Sequence, residues 1–303
     1  MKMKHAYMIM AHNQEWLLIK LIEMLDDIDN DIYIHLDKKS DISSDHLCAA
    51  AKKANVFFTK RINVEWGGYS QIEATLILLK EALKSQHIYY HMLAGVDLPI
   101  KDIHEVNEFY NKNTGKQFIR FFSEKKAREE YNKRYGFKNI FRDKFGKKNS
   151  VWKVLNRIAF VMQKALNIRD DSLENRFFLG ASSWDITEEL AKDIVAQEKN
   201  IERTYKWTSC CDEVFLQTFI YNTKYWKQLW IPYSKDGNGM KANMRFIDFS
   251  DEHRGSPHTV QIDDIKMLMQ SGLNFARKFD MKHKDAVEEL EKKLGKAEER
   301  KTK

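Results

Sequence analysis

Between residues 6 and 122, short apolar runs alternate with helix-forming stretches, and this alternation limits the fold more than any other feature of the sequence. Ala6–Met10 reads as a strand, and Asn13 stands where it can cap a helix carrying Leu17, Leu18, Leu21, Ile22 and Leu25 on one face. Asp31–Leu36 reads as a second strand, a small helix follows around His46–Lys53, and Asn55–Lys60 reads as a third strand. The turn Trp66-Gly67-Gly68-Tyr69-Ser70 leads into a strong helix, Gln71–Lys84. Tyr89–Leu93 makes a fourth strand; a short helix and a fifth strand, Gln117–Phe122, complete the series. Strands separated by helices predict an open, mainly parallel α/β sheet flanked by helices. In such a sheet ligands sit beyond the carboxyl ends of the strands, where His35, Asp37 and Asp97 fall.

Several chemistries lack their signatures. No G-x-G-x-x-G follows the first strand and no G-x-x-x-x-G-K-[ST] occurs, so dinucleotide and P-loop readings lose support. Neither a zinc spacing of Cys and His nor a G-x-S-x-G elbow is present. With 303 residues, 43% hydrophobic and 31% charged, the chain has the profile of a globular protein rather than a disordered one. We read a single domain over 1–281, interrupted by a basic helical insertion at about 123–175, with a charged helical tail, solvated or frayed, over 282–303. No apolar run approaches the ~20 residues that span a bilayer, and the start is too short for a signal-peptide core. Three cysteines, two of them adjacent, offer no disulfide framework. The expected location is the cytoplasm, with peripheral membrane contact left open.

The formal charge of +7 is uneven. Between Lys125 and Arg157 twelve Lys/Arg face three Asp/Glu, with Tyr131, Tyr135, Phe137, Phe141, Phe145 and Trp152 interleaved. Such a segment suits a nucleic acid, an anionic membrane surface or an acidic substrate, or is simply a solvated helical insertion.

Farther on, Ser182, Ser183 and Trp184 form a polar bend beside an aromatic ring, fit for stacking a sugar or for a structural turn, before a helix from about Thr187 to Gln197. Ser209-Cys210-Cys211-Asp212-Glu213 has the S-x-x-D form of a capping box ahead of an apolar helix. That places Glu213 in a first helical turn, either complementing the helix dipole or serving as a general base. Asn243–Phe249 reads as a strand, Arg254–Pro257 as a turn, and Phe275–Phe279 carries Arg277 and Lys278 between apolar residues.

Taken in order, six stretches resemble the core-2/I-branching glycosyltransferases (glycosyltransferase family 14), which also include the peptide xylosyltransferases. They are Ala6–His12, Ile34–Ser40, Trp66–Ser70, Leu93–Lys101 (a G-x-D-x-P-I-K motif), Asp212–Thr218 and the Phe-Ala-Arg-Lys-Phe run at 275–279. The resemblance implies a GT-A-like fold without a D-x-D metal motif, and inverting transfer from a UDP-sugar, most often UDP-N-acetylglucosamine. It makes Glu213 the general base and Lys278 the diphosphate lysine, with Arg277 beside it. Arg254 is favoured as partner arginine, with Arg245 as the alternative. On the donor side we place His12 and, by their strand-end positions, His35, Asp37 and Asp97; on the sugar and acceptor side we place the Ser182, Ser183 and Trp184 bend together with Asp212. No cofactor or metal is expected, since cations can stabilise a leaving diphosphate, and Asp27-Ile28-Asp29 and Asp29-Asn30-Asp31 precede the second strand, the wrong place for D-x-D. The expected partners are a UDP-sugar and a glycan or lipid-linked acceptor. An anionic membrane surface touching 125–157 is a further candidate, and no nucleic acid is expected. The sequence departs from the animal enzymes around Phe122–Glu130 and lacks their disulfide cysteines, leaving the donated sugar and the acceptor open. A metal-dependent transferase using Asp97, and a non-catalytic polyanion- or membrane-binding protein on the same fold, are the alternatives.

Overall fold

The structure, a computed structural model, describes residues 3–249 and 256–301. Its elements run β1 (Lys4–Ala11), α1 (Glu15–Met24), β2 (Asn30–Leu36), α2 (Ser44–Ala50), β3 (Asn55–Phe58), α3 (Ser70–Ala82), β4 (His87–Ala94) and β5 (Leu98–Pro99). Then come α4 (Ile103–Lys112), α5 (Glu124–Tyr131), α6 (Val151–Ala165), β6 (Asp185–Thr187), α7 (Glu188–Ala196) and α8 (Glu198–Tyr205). The last part holds α9 (Phe215–Phe219), α10 (Lys224–Lys227), β7 (Arg245–Ile247), α11 (Ile265–Gln270), β8 (Phe275–Arg277) and α12 (Lys284–Lys301).

The main sheet has the order β3-β2-β1-β4-β6, with its first four strands parallel and β6 antiparallel to β4. Every residue of β2 is buried, as a strand covered on both faces requires. Alternation along the strands feeds two cores. Ala6, Met8, Tyr33 and Met92 pack with Leu76 and Leu79 of α3 on one face. Tyr7, Ile9, Ile32 and Leu93 pack with Leu17 and Leu21 of α1 on the other. This is the mostly parallel, helix-flanked sheet expected of a GT-A-like fold. A small second sheet, β5-β8-β7, fastens the Phe275–Arg277 strand to the chain just after β4.

Three local expectations fail. Gln117–Phe122 makes only single bridges, to Leu229, Asp185 and Gly180; β6 takes the place beside β4 and pairs Ile186 with Tyr90. Asn13 does not cap α1: Gln14 stands at its N-cap with φ 60° and no capping bond, and its Oε1 accepts the Met281 N–H at 2.8 Å. The charged tail is helical but not wholly solvated. α12 buries Ala286, Val287 and Leu290 in the second core, because these apolar residues recur at helical spacing within the charged run. The insertion likewise roots itself through Tyr131, Tyr135 and Leu173 in the first core.

Candidate active site

The strand order turns at β1, with β2 on one side and β4 on the other, and a doubly wound sheet opens a crevice at such a point. A cavity of about 530 Å³ lies there, lined by His12 after β1, His35 and Asp37 around the end of β2, and Leu93 and Ala94 at the end of β4. Asp37 also shapes the loops around it: Oδ1 accepts the Lys39 N–H at 2.8 Å and Oδ2 the Val64 N–H at 3.3 Å. His35 Nε2 accepts the Ile62 N–H at 3.3 Å. Burial lowers the pKa of the His12 imidazole, and the cations of Lys39, Lys147 and Lys278 push the same way against Asp37. A concentration of positive charge is the environment an anionic ligand needs.

The Trp66–Ser70 turn joins this cavity to the insertion. Asp143 caps α3 from a distance, accepting the Tyr69 and Ser70 N–H groups at 3.1 Å each. A Cβ on Gly68 would stand 2.0 Å from Asp143 Oδ1, so only glycine permits this approach. Arg142 donates to the Trp66 carbonyl at 2.8 Å, and Lys147 lies 4.6 Å from the centre of the Trp66 ring. Trp66, Lys147 and Lys148 all line the cavity.

The Ser209–Glu213 segment packs against the same turn, with the Cys210 N–H donating to the Gly67 carbonyl at 2.8 Å. The expected capping box does not form. Cys210 is left-handed at φ 52°, and Cys211–Glu213 makes a 3₁₀ turn ahead of α9 with no side-chain cap. That kink separates the two carboxylates. Asp212 lines the cavity and accepts from Gln71 Nε2 at 3.3 Å. Glu213 does not line it; its Oε2 accepts from Arg134 Nη1 at 2.7 Å, and the same Nη1 reaches the Cys210 carbonyl at 2.7 Å. No described residue donates to Glu213 Oε1. Arg134 comes from the insertion and was not singled out by the sequence, which gives no local sign of a partner 79 residues away.

Burial and the neighbouring Glu213 charge push Asp212 up to about 7, against the pull of Arg134 and Arg277. An unfolded aspartate titrates near about 4, so between these values the folded chain holds the extra proton and stability falls as pH rises through that window. Asp212→Asn should therefore gain melting temperature relative to the native chain more at pH 8 than at pH 5. An equal difference at both values would remove this assignment.

Of the remaining sequence candidates, Ser182, Ser183 and Arg277 line the cavity. The bend carrying the serines is held close, because the Gly180 N–H donates to the Glu213 carbonyl at 2.9 Å. Lys278 is not among the lining residues, but its charge reaches His12. Asp97 lies beneath Arg277, 3.6 Å from its Nε; burial raises its pKa and Arg277 opposes this. Two assignments are corrected. Trp184 is 1% exposed and belongs to the core, so it offers no face to a sugar; Trp66, on the cavity wall, is half exposed. Arg245 is 1% exposed and grips Asp185 Oδ2 at 3.0 Å, far too enclosed to receive a diphosphate. Arg254 lies outside the described residues. Among the described residues no three His, Cys, Asp or Glu side chains gather as a metal site would need. A second cavity of about 490 Å³, against α5 at Arg128 and Tyr131, shares no lining residue with the first.

A family model described as Core-2/I-Branching enzyme matches residues 5–271. No curated protein matches the chain. The match covers far more than half of the sequence and runs from β1 through α11, taking in the Asp212–Glu213 segment and the residues lining the turn-point cavity except Arg277. The chain belongs to the core-2/I-branching enzymes, a family of glycosyltransferases.

Proposed function

We propose that this protein transfers N-acetylglucosamine from UDP-N-acetylglucosamine to a hydroxyl of a glycan or glycolipid, with inversion and without metal. The observation that carries this is the meeting, at the switch point of the sheet, of the Asp212 carboxylate with the cations Lys147, Lys148 and Arg277, with Glu213 next in the chain and held by Arg134. In the reaction the acceptor oxygen bonds to the anomeric carbon as the bond to UDP breaks, and the acceptor proton passes to a carboxylate. Glu213 is the base we assign, by its match to the family motif; Arg134 orients it through Oε2 and leaves Oε1 for the proton. A second reading gives the base role to Asp212, favoured by its place on the cavity wall and its pKa of about 7, close to the working pH that general-base catalysis prefers.

Cations supply the stabilisation that the leaving diphosphate needs. Arg277 and Lys278 sit on β8 and just past it, with Lys147 contributing from the insertion. Arg254 keeps its place by the resemblance alone. A metal at Asp97 would be repelled by the guanidinium of Arg277, which supports the metal-free reading.

UDP-sugars titrated into the protein in EDTA test this directly. The cognate donor at 100 times its dissociation constant should add about 2.7 kcal/mol of stability. Lys278→Ala should weaken UDP binding and remove roughly 2–4 kcal/mol of transition-state stabilisation. Binding that appears only with Mn²⁺ or Mg²⁺ would overturn the metal-free mechanism, and unchanged kinetics in Lys278→Ala would remove that lysine from it.

A further inference from the structure

α6 is turned inside out. A surface helix normally shows its apolar stripe to the core and its polar residues to water. Here Asn156 is buried; its Oδ1 accepts the Phe141 N–H and its Nδ2 donates to Asn139 Oδ1, both at 3.1 Å. Two turns on, on the same face, Gln163 accepts the Lys138 N–H at 2.8 Å and donates to the Lys138 carbonyl at 3.0 Å. Polar bonds, together with ring contacts of Trp152 on Phe141 and Phe160 on Phe137, thus fasten the helix to the protein. The opposite side carries Val151, Leu155, Ile158 and Met162 in one stripe, with Ile158 50% and Met162 57% exposed. Burying this stripe by rolling the helix would break all four of those bonds. A contiguous exposed apolar face of this kind marks an interaction surface.

Charge identifies what covers it. From Lys144 to Arg169 there are seven Lys/Arg and no Asp/Glu. Lys153, Arg157 and Lys164 are exposed, and their spacing sets them in a row along the flank between the apolar stripe and the protein-facing side. Two copies of α6 meeting face to face would bring only like charges together, since the helix has no acidic residue to answer its cations. An apolar stripe flanked by a cationic row is instead the pattern of a helix lying in a membrane interface, with cations at the level of the phosphates. Among the described residues no helix is long and apolar enough to cross a membrane, so α6 would lie in the plane. We propose that α6 docks this protein on an anionic lipid bilayer, its apolar stripe among the acyl chains and Lys153, Arg157 and Lys164 on the headgroups. Lys147 and Lys148, which line the cavity, stand just before α6, so docking would hold the sugar-transfer cavity close to the lipid surface.

Sedimentation with vesicles tests this without turnover, so its outcome is separate from that of the transferase reading. The native chain should sediment with phosphatidylglycerol–phosphatidylcholine vesicles, release at high salt and ignore pure phosphatidylcholine. Leu155→Ser/Ile158→Ser/Met162→Ser should abolish sedimentation while leaving melting temperature and UDP affinity unchanged. Lys153→Gln/Arg157→Gln/Lys164→Gln should weaken it on the order of a hundredfold, at about fivefold per charge. Undiminished binding by either variant would overturn the proposal. So would a native chain that ignores anionic vesicles and self-associates through the same stripe in light scattering.

Discussion

Glu213→Gln is expected to slow single-turnover transfer about 10²–10⁴-fold while UDP affinity and melting temperature stay close to those of the native chain. Glutamine keeps the shape of the side chain and one carbonyl oxygen for Arg134, but it cannot take the acceptor's proton. The structural cost should be small. The Glu213 side chain is 34% exposed and Arg134 retains Glu130 at 3.2 Å, so the lost ion pair should cost no more than about 1 kcal/mol. Asp212→Asn is the discriminating partner. It removes a carboxylate from the cavity wall, keeps the oxygen that accepts from Gln71, and on this reading has the milder effect on turnover. If instead Asp212→Asn is inactive and Glu213→Gln turns over, the cavity-lining carboxylate is the base. If both turn over, the segment is structural and the mechanism fails.

The parallel core was legible because its signals are local. β1, β2 and β4 are short apolar runs, and α1 and α3 repeat their apolar residues at helical spacing. Likewise, His35 and Asp37 could be placed by position alone, since a strand end in a parallel sheet fixes where its next side chains point. What the sequence did not show depends on distant partners. Trp66 and Trp184 are the same residue type, and only tertiary packing makes one a half-exposed wall and the other a core side chain. Gln117–Phe122 has strand composition, yet β6, which follows the insertion, takes the place beside β4. The capping box at Ser209 gave way because Cys210 must turn left-handed to lay its N–H on Gly67. The cations told the same story: Arg245 was read as an alternative diphosphate partner, and only the buried network around Asp185 takes it out of reach.

That network yields the other large effect. Arg245→Leu should destabilise the protein by about 3–5 kcal/mol, the usual cost of leaving a buried charge without its partner. Asp185 is fully buried. Burial alone would raise its pKa, and Arg245 with His91 outweighs that and holds it low. Without the guanidinium, the carboxylate keeps only neutral donors such as the Tyr110 hydroxyl and the His91 ring, whose Nδ1 lies at 2.8 Å. Burial, the largest influence on that ring, lowers its pKa, so His91 is a poor substitute for a permanent cation. Denaturant titration reads the loss, and UDP titration of the folded fraction provides the contrast. A structural Arg245 lowers the unfolding midpoint and leaves UDP affinity unchanged; a diphosphate-binding Arg245 does the reverse. Removing both charges, as in Arg245→Leu/Asp185→Leu, should recover part of the stability, because the penalty lies in the orphaned carboxylate more than in the lost attraction. A double variant as unstable as the sum of its single variants would show that the two side chains act independently, and the case for reading Arg245 as the partner of Asp185 would fall with it.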